Sequence, residues 1–119
     1  MYFTNKIIDK NRFFKKIIQR EKIVSTGIGM GVAIPHTKSL EFNDFFIAIG
    51  IHKNSSVNWF SIDKNPVKIV FLIAGPENKQ SEYLHILSKL TSIIKNENFR
   101  KKLLKIDSKE KVLKLFDQI

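Results

Sequence analysis

Two short stretches almost without polar side chains constrain this chain more than anything else in it: FFIAIGI at 45–51 and VKIVFLIA at 67–74. Each is shorter than an ordinary buried helix. Turn-forming residues close both, Asn54 to Ser56 after the first and Gly75 with Pro76 after the second. Apolar runs of this length read as β-strands. A strand that is apolar on both alternating faces has to be covered on both, which calls for a sheet with helices on each side.

The remaining patterns supply those helices. Phe13, Phe14, Ile17 and Ile18 repeat at i, i+4 spacing after Asp9, a residue suited to an N-cap. A helix is therefore expected to about Arg20, stopping near Glu21 or Lys22. From Asn78 to about Lys95 a longer helix carries Tyr83, Leu84, Leu87, Leu90 and Ile94 along one face. A shorter one follows over Glu97 to Ile106, anchored by Phe99, Leu103 and Leu104. Asp107 and Glu110 fit the N-cap and N3 positions of a capping box that would open a last helix bearing Val112 and Leu115. The fold class expected is α/β, in one domain, because 119 residues make a single core and too little for two.

The chain has no cysteine, so disulfides, thiolate metal sites and cysteine nucleophiles are excluded. No apolar run is long enough to span a bilayer, which takes about 18 residues, and the start lacks the pattern of a signal peptide. The net charge of +10 gathers at the two ends, 1–22 and 92–119. Such ends can attract an anionic surface or an acidic protein. A nucleic-acid partner is not expected, since the aromatic residues fall in core-like patterns.

The chemistry concentrates in Ser25 to Thr37, STGIGMGVAIPHT. Gly27, Gly29 and Gly31 are too closely spaced for a helix and read as a tight, irregular connection with exposed backbone amides. Val32 to Ile34 then form a short buried strand, and Pro35, which lacks an N–H, is expected to end regular pairing and deliver His36 at a strand end. No HxH, HExxH or cysteine pair accompanies the three histidines, so no metal is expected. Neither a Walker A loop nor a dinucleotide fingerprint fits, so no cofactor is expected either. A histidine beside amides and hydroxyls remains. Imidazole can hold a phosphoryl group on one ring nitrogen, provided donors meet the phosphoryl oxygens. Arg20, Ser25 and Thr26 have suitable chemistry, although spacing does not bring them together; Arg20 also suits a helix C-terminus without any phosphate.

The segment Arg20 to Thr37, REKIVSTGIGMGVAIPHT, closely resembles the active-site region of the fructose/mannitol-type sugar-phosphotransferase IIA domains, including their nitrogen-regulatory relatives. DKNPVKIVFLIAGP from Asp63, followed by a helix containing HILSKL, resembles the same family. The resemblance implies the type-2 EIIA fold of the phosphotransferase system, a mixed β-sheet with helices on both faces, over residues 1–119. It implies that His36 is the phosphorylated histidine, accepting phosphate from the phosphocarrier protein HPr and donating it to a cognate IIB domain, or else serving a regulatory relay. His85 would position the phosphoryl group, Arg20 would stabilise its charge, and Ser25 and Thr26 would orient it. A cytoplasmic protein is implied, without membrane insertion, compatible with association with a membrane IIC transporter complex and with self-association. Family members carry a further N-terminal segment of about 30 residues ahead of the region matched here, so this domain is expected to be a shortened one.

Overall fold

The computed structural model describes residues 10–23, 26–52, 56–59, 61 and 63–117. Asp9, expected as a helix cap, and Ser25 lie outside the described residues. In chain order the elements are α1 (Lys10–Ile23), β1 (Gly27–Gly29), β2 (Val32–Ala33), β3 (His36–Lys38), β4 (Phe46–Ile51), β5 (Ile69–Gly75), α2 (Gln80–Ile94), α3 (Glu97–Lys105) and α4 (Lys109–Asp117).

The sheet is mixed and built on β5. On one side β5 pairs in parallel with β2 and β3, and on the other it pairs antiparallel with β4. β1 folds back antiparallel on β2. Side chains alternate along a strand, so β5 serves two cores at once. Ile69, Phe71 and Ile73 join Val32, Ile34, Tyr83, Leu90, Ile94 and Leu103 in the larger one, under α2 and α3. Leu72 and Ala74 join Phe13 and Phe42 in the smaller one, under α1. The expected covering of both faces therefore holds for β5.

It holds less well for β4. That strand is the partner of β5 alone, and Ile47, its second residue, is 42% exposed. Its apolar run signals an incompletely covered edge strand, since periodicity cannot distinguish an edge from a centre. Likewise only half of the apolar face expected on α1 is used. Phe13 is buried against Phe42 and Phe46, whereas Phe14 is 63% exposed.

Three local details depart from expectation. The glycine-rich stretch is tight, as expected, but a regular hairpin rather than an irregular connection. Met30 and Gly31 both have positive φ, 59° and 73°, which suits the turn geometry that matches strand twist, and Gly29 adds a third positive φ at a register shift. The exposed Asp63 carboxylate secures that turn by accepting from Met30 N at 3.2 Å. Hydrogen bonds from Asn65, first from its backbone N–H, hold the Asp63 carboxyl below its ordinary range. At α4, Ser108 rather than Asp107 provides the cap, its Oγ accepting from Lys111 N at 3.3 Å, while Asp107 pairs with the Lys111 ammonium. The capping frame sits one residue later than the spacing suggests.

The third departure concerns His36. Pro35 does break the ladder, but pairing resumes at once, so His36 opens β3 instead of following a strand. Val32 lies opposite Ile69 and His36 opposite Ile73, with the register kept across the break. Pro35 contributes no N–H, yet its carbonyl still accepts from Ile73 N at 3.0 Å.

Gly75, at the end of β5, has to be glycine for a steric reason: a Cβ there would fall 2.0 Å from Phe45 Cδ1. Gly50 on β4 has ordinary space, its nearest neighbour being Val70 Cβ at 3.9 Å. Gly75→Ala is expected to destabilise the fold by about 1–3 kcal/mol, the range for overpacking, with Gly50→Ala near neutral. Denaturant melts of the two variants check the pair.

Candidate active site

α1 packs against β3, the strand that carries His36. A carboxylate fixes this junction. Glu21 accepts from Thr26 N at 2.8 Å, from Thr26 Oγ1 at 2.6 Å and from Trp59 Nε1 at 2.7 Å. Thr26 is buried and its hydroxyl proton is committed to Glu21, so Thr26 fastens β1 to the end of α1 rather than offering a donor outward. Gly27 must then lie close against Ser61, because a Cβ at that position would overlap the Ser61 side chain. Arg20 stands one residue before Glu21, in the last turn of α1.

His36 is half-buried at the start of β3. Its Nδ1 lies 3.1 Å from the Ile34 carbonyl oxygen. A carbonyl can only accept, so Nδ1 carries the proton and Nε2 presents its lone pair.

The side chain that α2 brings to His36 is Tyr83. The two ring centroids are 5.7 Å apart with the planes tilted by 44°. Tyr83 also stacks on Phe45 at 6.4 Å, and the Lys38 ammonium sits 4.6 Å from the centre of its ring while donating to Gln80 Oε1 at 2.5 Å. Burial pushes the Tyr83 phenol above its ordinary value, and the positive charge of Arg20 opposes that shift, which places the guanidinium within electrostatic reach of the hydroxyl. Tyr83 is thus in ring contact with His36 and within the field of Arg20.

His85 stands elsewhere. It is exposed on α2, and two residues turn a helix by about 200°, so it projects from the side opposite Tyr83. Tyr83, Leu90 and Ile94 form the buried face of α2. Sequence reading placed Tyr83 on that apolar face but missed its polar end; a buried tyrosine whose hydroxyl must find company was the available signal. Lys38, in a stretch whose polar composition suggests a loop, closes β3. His52, just beyond β4, is exposed and donates its backbone N–H to Lys68 O at 2.8 Å. Among the described residues no group of three or more His, Asp or Glu side chains converges as a metal site, and no helix is long and apolar enough to cross a membrane.

Two expectations follow. Glu21→Ala removes the acceptor for three donors and should lower stability by about 1–3 kcal/mol, with a red-shifted emission from Trp59, the only tryptophan. Because folding raises the Tyr83 pKa above 10.0, its contribution is complete below pH 10.0 and declines as pH rises through the folded value. Tyr83→Phe should therefore show a shallower alkaline loss of stability, read from melts across pH 9 to 11.

Comparison with known proteins places this geometry in context. The fructose-specific EIIABC component of the phosphotransferase system of Bacillus subtilis is 35% identical over 113 residues, 95% of this chain. The chain spans only 18% of that relative's length. The crystal structure of nitrogen regulatory protein IIA-Ntr from Neisseria meningitidis superposes with a TM-score of 0.82 at 33% identity, covering 88% of this chain and 71% of that one. The Escherichia coli complex of mannitol enzyme IIA with phosphorylated enzyme IIB shares the fold, with a TM-score of 0.73 at 18% identity, covering 92% and 76%. The family described as phosphoenolpyruvate-dependent sugar phosphotransferase system, EIIA 2, matches residues 1–119. With that match across its whole length, a mixed sheet flanked by helices and close likeness to a solved IIA protein, the chain belongs to the EIIA type-2 family of the phosphotransferase system.

Proposed function

We propose that this domain is a phosphoryl-transfer intermediate that accepts a phosphoryl group from phospho-HPr on Nε2 of His36 and passes it to a IIB domain. The observation that carries the reading is the Nδ1 contact with the Ile34 carbonyl, which leaves Nε2 as the nucleophilic nitrogen on a half-exposed ring. In the transfer, the Nε2 lone pair forms a bond to phosphorus as the N–P bond of the donor phosphohistidine breaks, and the electron pair returns to the donor ring. Arg20 opposes the charge on the phosphoryl oxygens. Neither metal nor nucleotide has a part, because the donor already holds an activated phosphoryl group. The domain works in the cytoplasm, on its own or beside a membrane IIC transporter.

A second reading keeps the same His36 chemistry but gives it a regulatory output, phosphorylation controlling the binding of a target protein. It is favoured by the 33% identity and TM-score of 0.82 with a nitrogen regulatory IIA protein.

Incubation with phosphoenolpyruvate, its kinase and HPr is expected to label the wild type and not His36→Ala. Failure of folded wild type to take up phosphate would remove the assignment. Transfer from the labelled domain to purified fructose-type IIB proteins separates the two readings: efficient transfer supports transport, and retention of the label supports regulation.

A further inference from the structure

The phosphoryl site has a group on α2 that the histidine pattern of the sequence does not single out. We propose that Tyr83, and not His85, is the α2 side chain that positions the phosphoryl group on His36. The inference rests on the assignment of His36 as the phosphoryl acceptor and gives that site a further residue.

Four observations converge on Tyr83. Its ring lies against the His36 ring at 5.7 Å, whereas His85 leaves the opposite side of the helix. Arg20 acts electrostatically on the phenol, so the cation and the hydroxyl serve one locality. Lys38 adds a second cation at the ring, held by Gln80 from the first turn of α2. Finally, among the described residues the Tyr83 hydroxyl has no hydrogen-bond partner, yet it is not one of the fully buried unpartnered atoms, a set that among them contains Ser61 Oγ alone. An enclosed ring with an uncommitted O–H that still reaches solvent is built to meet an incoming acceptor.

The phenol keeps its proton throughout and donates it in a hydrogen bond to a phosphoryl oxygen. Neutral O–H suits this purpose, because a phenolate would repel the phosphoryl group. The group is therefore a positioning residue: the bonds made and broken remain those of Nε2 and phosphorus. Phe45, stacked on the far ring and seated over Gly75, holds Tyr83 in place.

The test uses wild type, Tyr83→Phe, Tyr83→His and His85→Ala in the reconstituted relay, with rates of labelling and of onward transfer to a IIB acceptor, and with 31P NMR of the phosphorylated domain. Tyr83→Phe keeps the ring and should slow transfer roughly 10- to 100-fold, toward the lower end of the effect of losing one charge-stabilising donor. It should also move the phosphohistidine resonance, a signature that loss of packing elsewhere would not produce. Tyr83→His restores an N–H and should transfer faster than Tyr83→Phe, while His85→Ala should match wild type in both readouts. A labelled wild type accompanied by an unaltered Tyr83→Phe, a Tyr83→His no faster than Tyr83→Phe, or a slowed His85→Ala would overturn the role of Tyr83 and leave the His36 assignment standing. A wild type that takes no label would bring down the His36 assignment, and this inference with it.

Discussion

Everything in the domain depends on β5 being buried on both faces. Seven residues, Ile69 to Gly75, separate two apolar cores and give hydrogen bonds to strands on either side. Burial of Phe71 alone represents roughly 3–5 kcal/mol, judged by what truncating such a ring costs. Because α1 closes on one face and α2 with α3 on the other, the position of β5 also determines where the helix ends meet. His36 lies opposite Ile73 on β3, a strand that α1 packs against, and its ring meets Tyr83 from the first turn of α2. The site is where the two layers come together beside the same strand.

Rigidity at that meeting point comes from groups that never touch the reacting atom. Glu21 gathers three donors from two separate segments, two from Thr26 and one from Trp59, and so joins α1 to the start of β1 and to the stretch around Trp59. On the other flank, Gly75 leaves room for Phe45, Phe45 supports Tyr83, and Tyr83 lies against His36. One flank is polar and the other aromatic. Between them, the imidazole has little freedom to turn, as its proposed role in transfer between two large partners would require.

Much of this was legible in the sequence, for reasons that differ from element to element. β5, α2 and α3 follow from local periodicity, and their positions agree with expectation to within a few residues. His36 stood out because Pro35 and the glycines around it define an unusual local backbone. Tyr83 and His85, in contrast, are separated by two residues on one helix, and only the packing of α2 on the sheet decides which of them meets β3. The Glu21 contacts with Thr26 and Trp59 cross long stretches of chain and leave no periodic trace. β4 misled because an apolar strand looks the same at an edge as at a centre. Ser108 displaced Asp107 as a cap through a frame difference of one residue, the usual scale of error for a helix boundary.

The contact between His36 Nδ1 and the Ile34 carbonyl has an energetic meaning beyond orientation. A carboxylate in that place would stabilise a positively charged ring and so lower the energy of the phosphorylated imidazole. A neutral amide oxygen offers much less of that stabilisation. Under the role proposed for His36, an N–P bond formed on such a ring would keep most of the transfer potential with which the phosphoryl group arrives. With a backbone acceptor behind it, His36 in its proposed role would be a shallow resting place from which the group could leave as readily as it came.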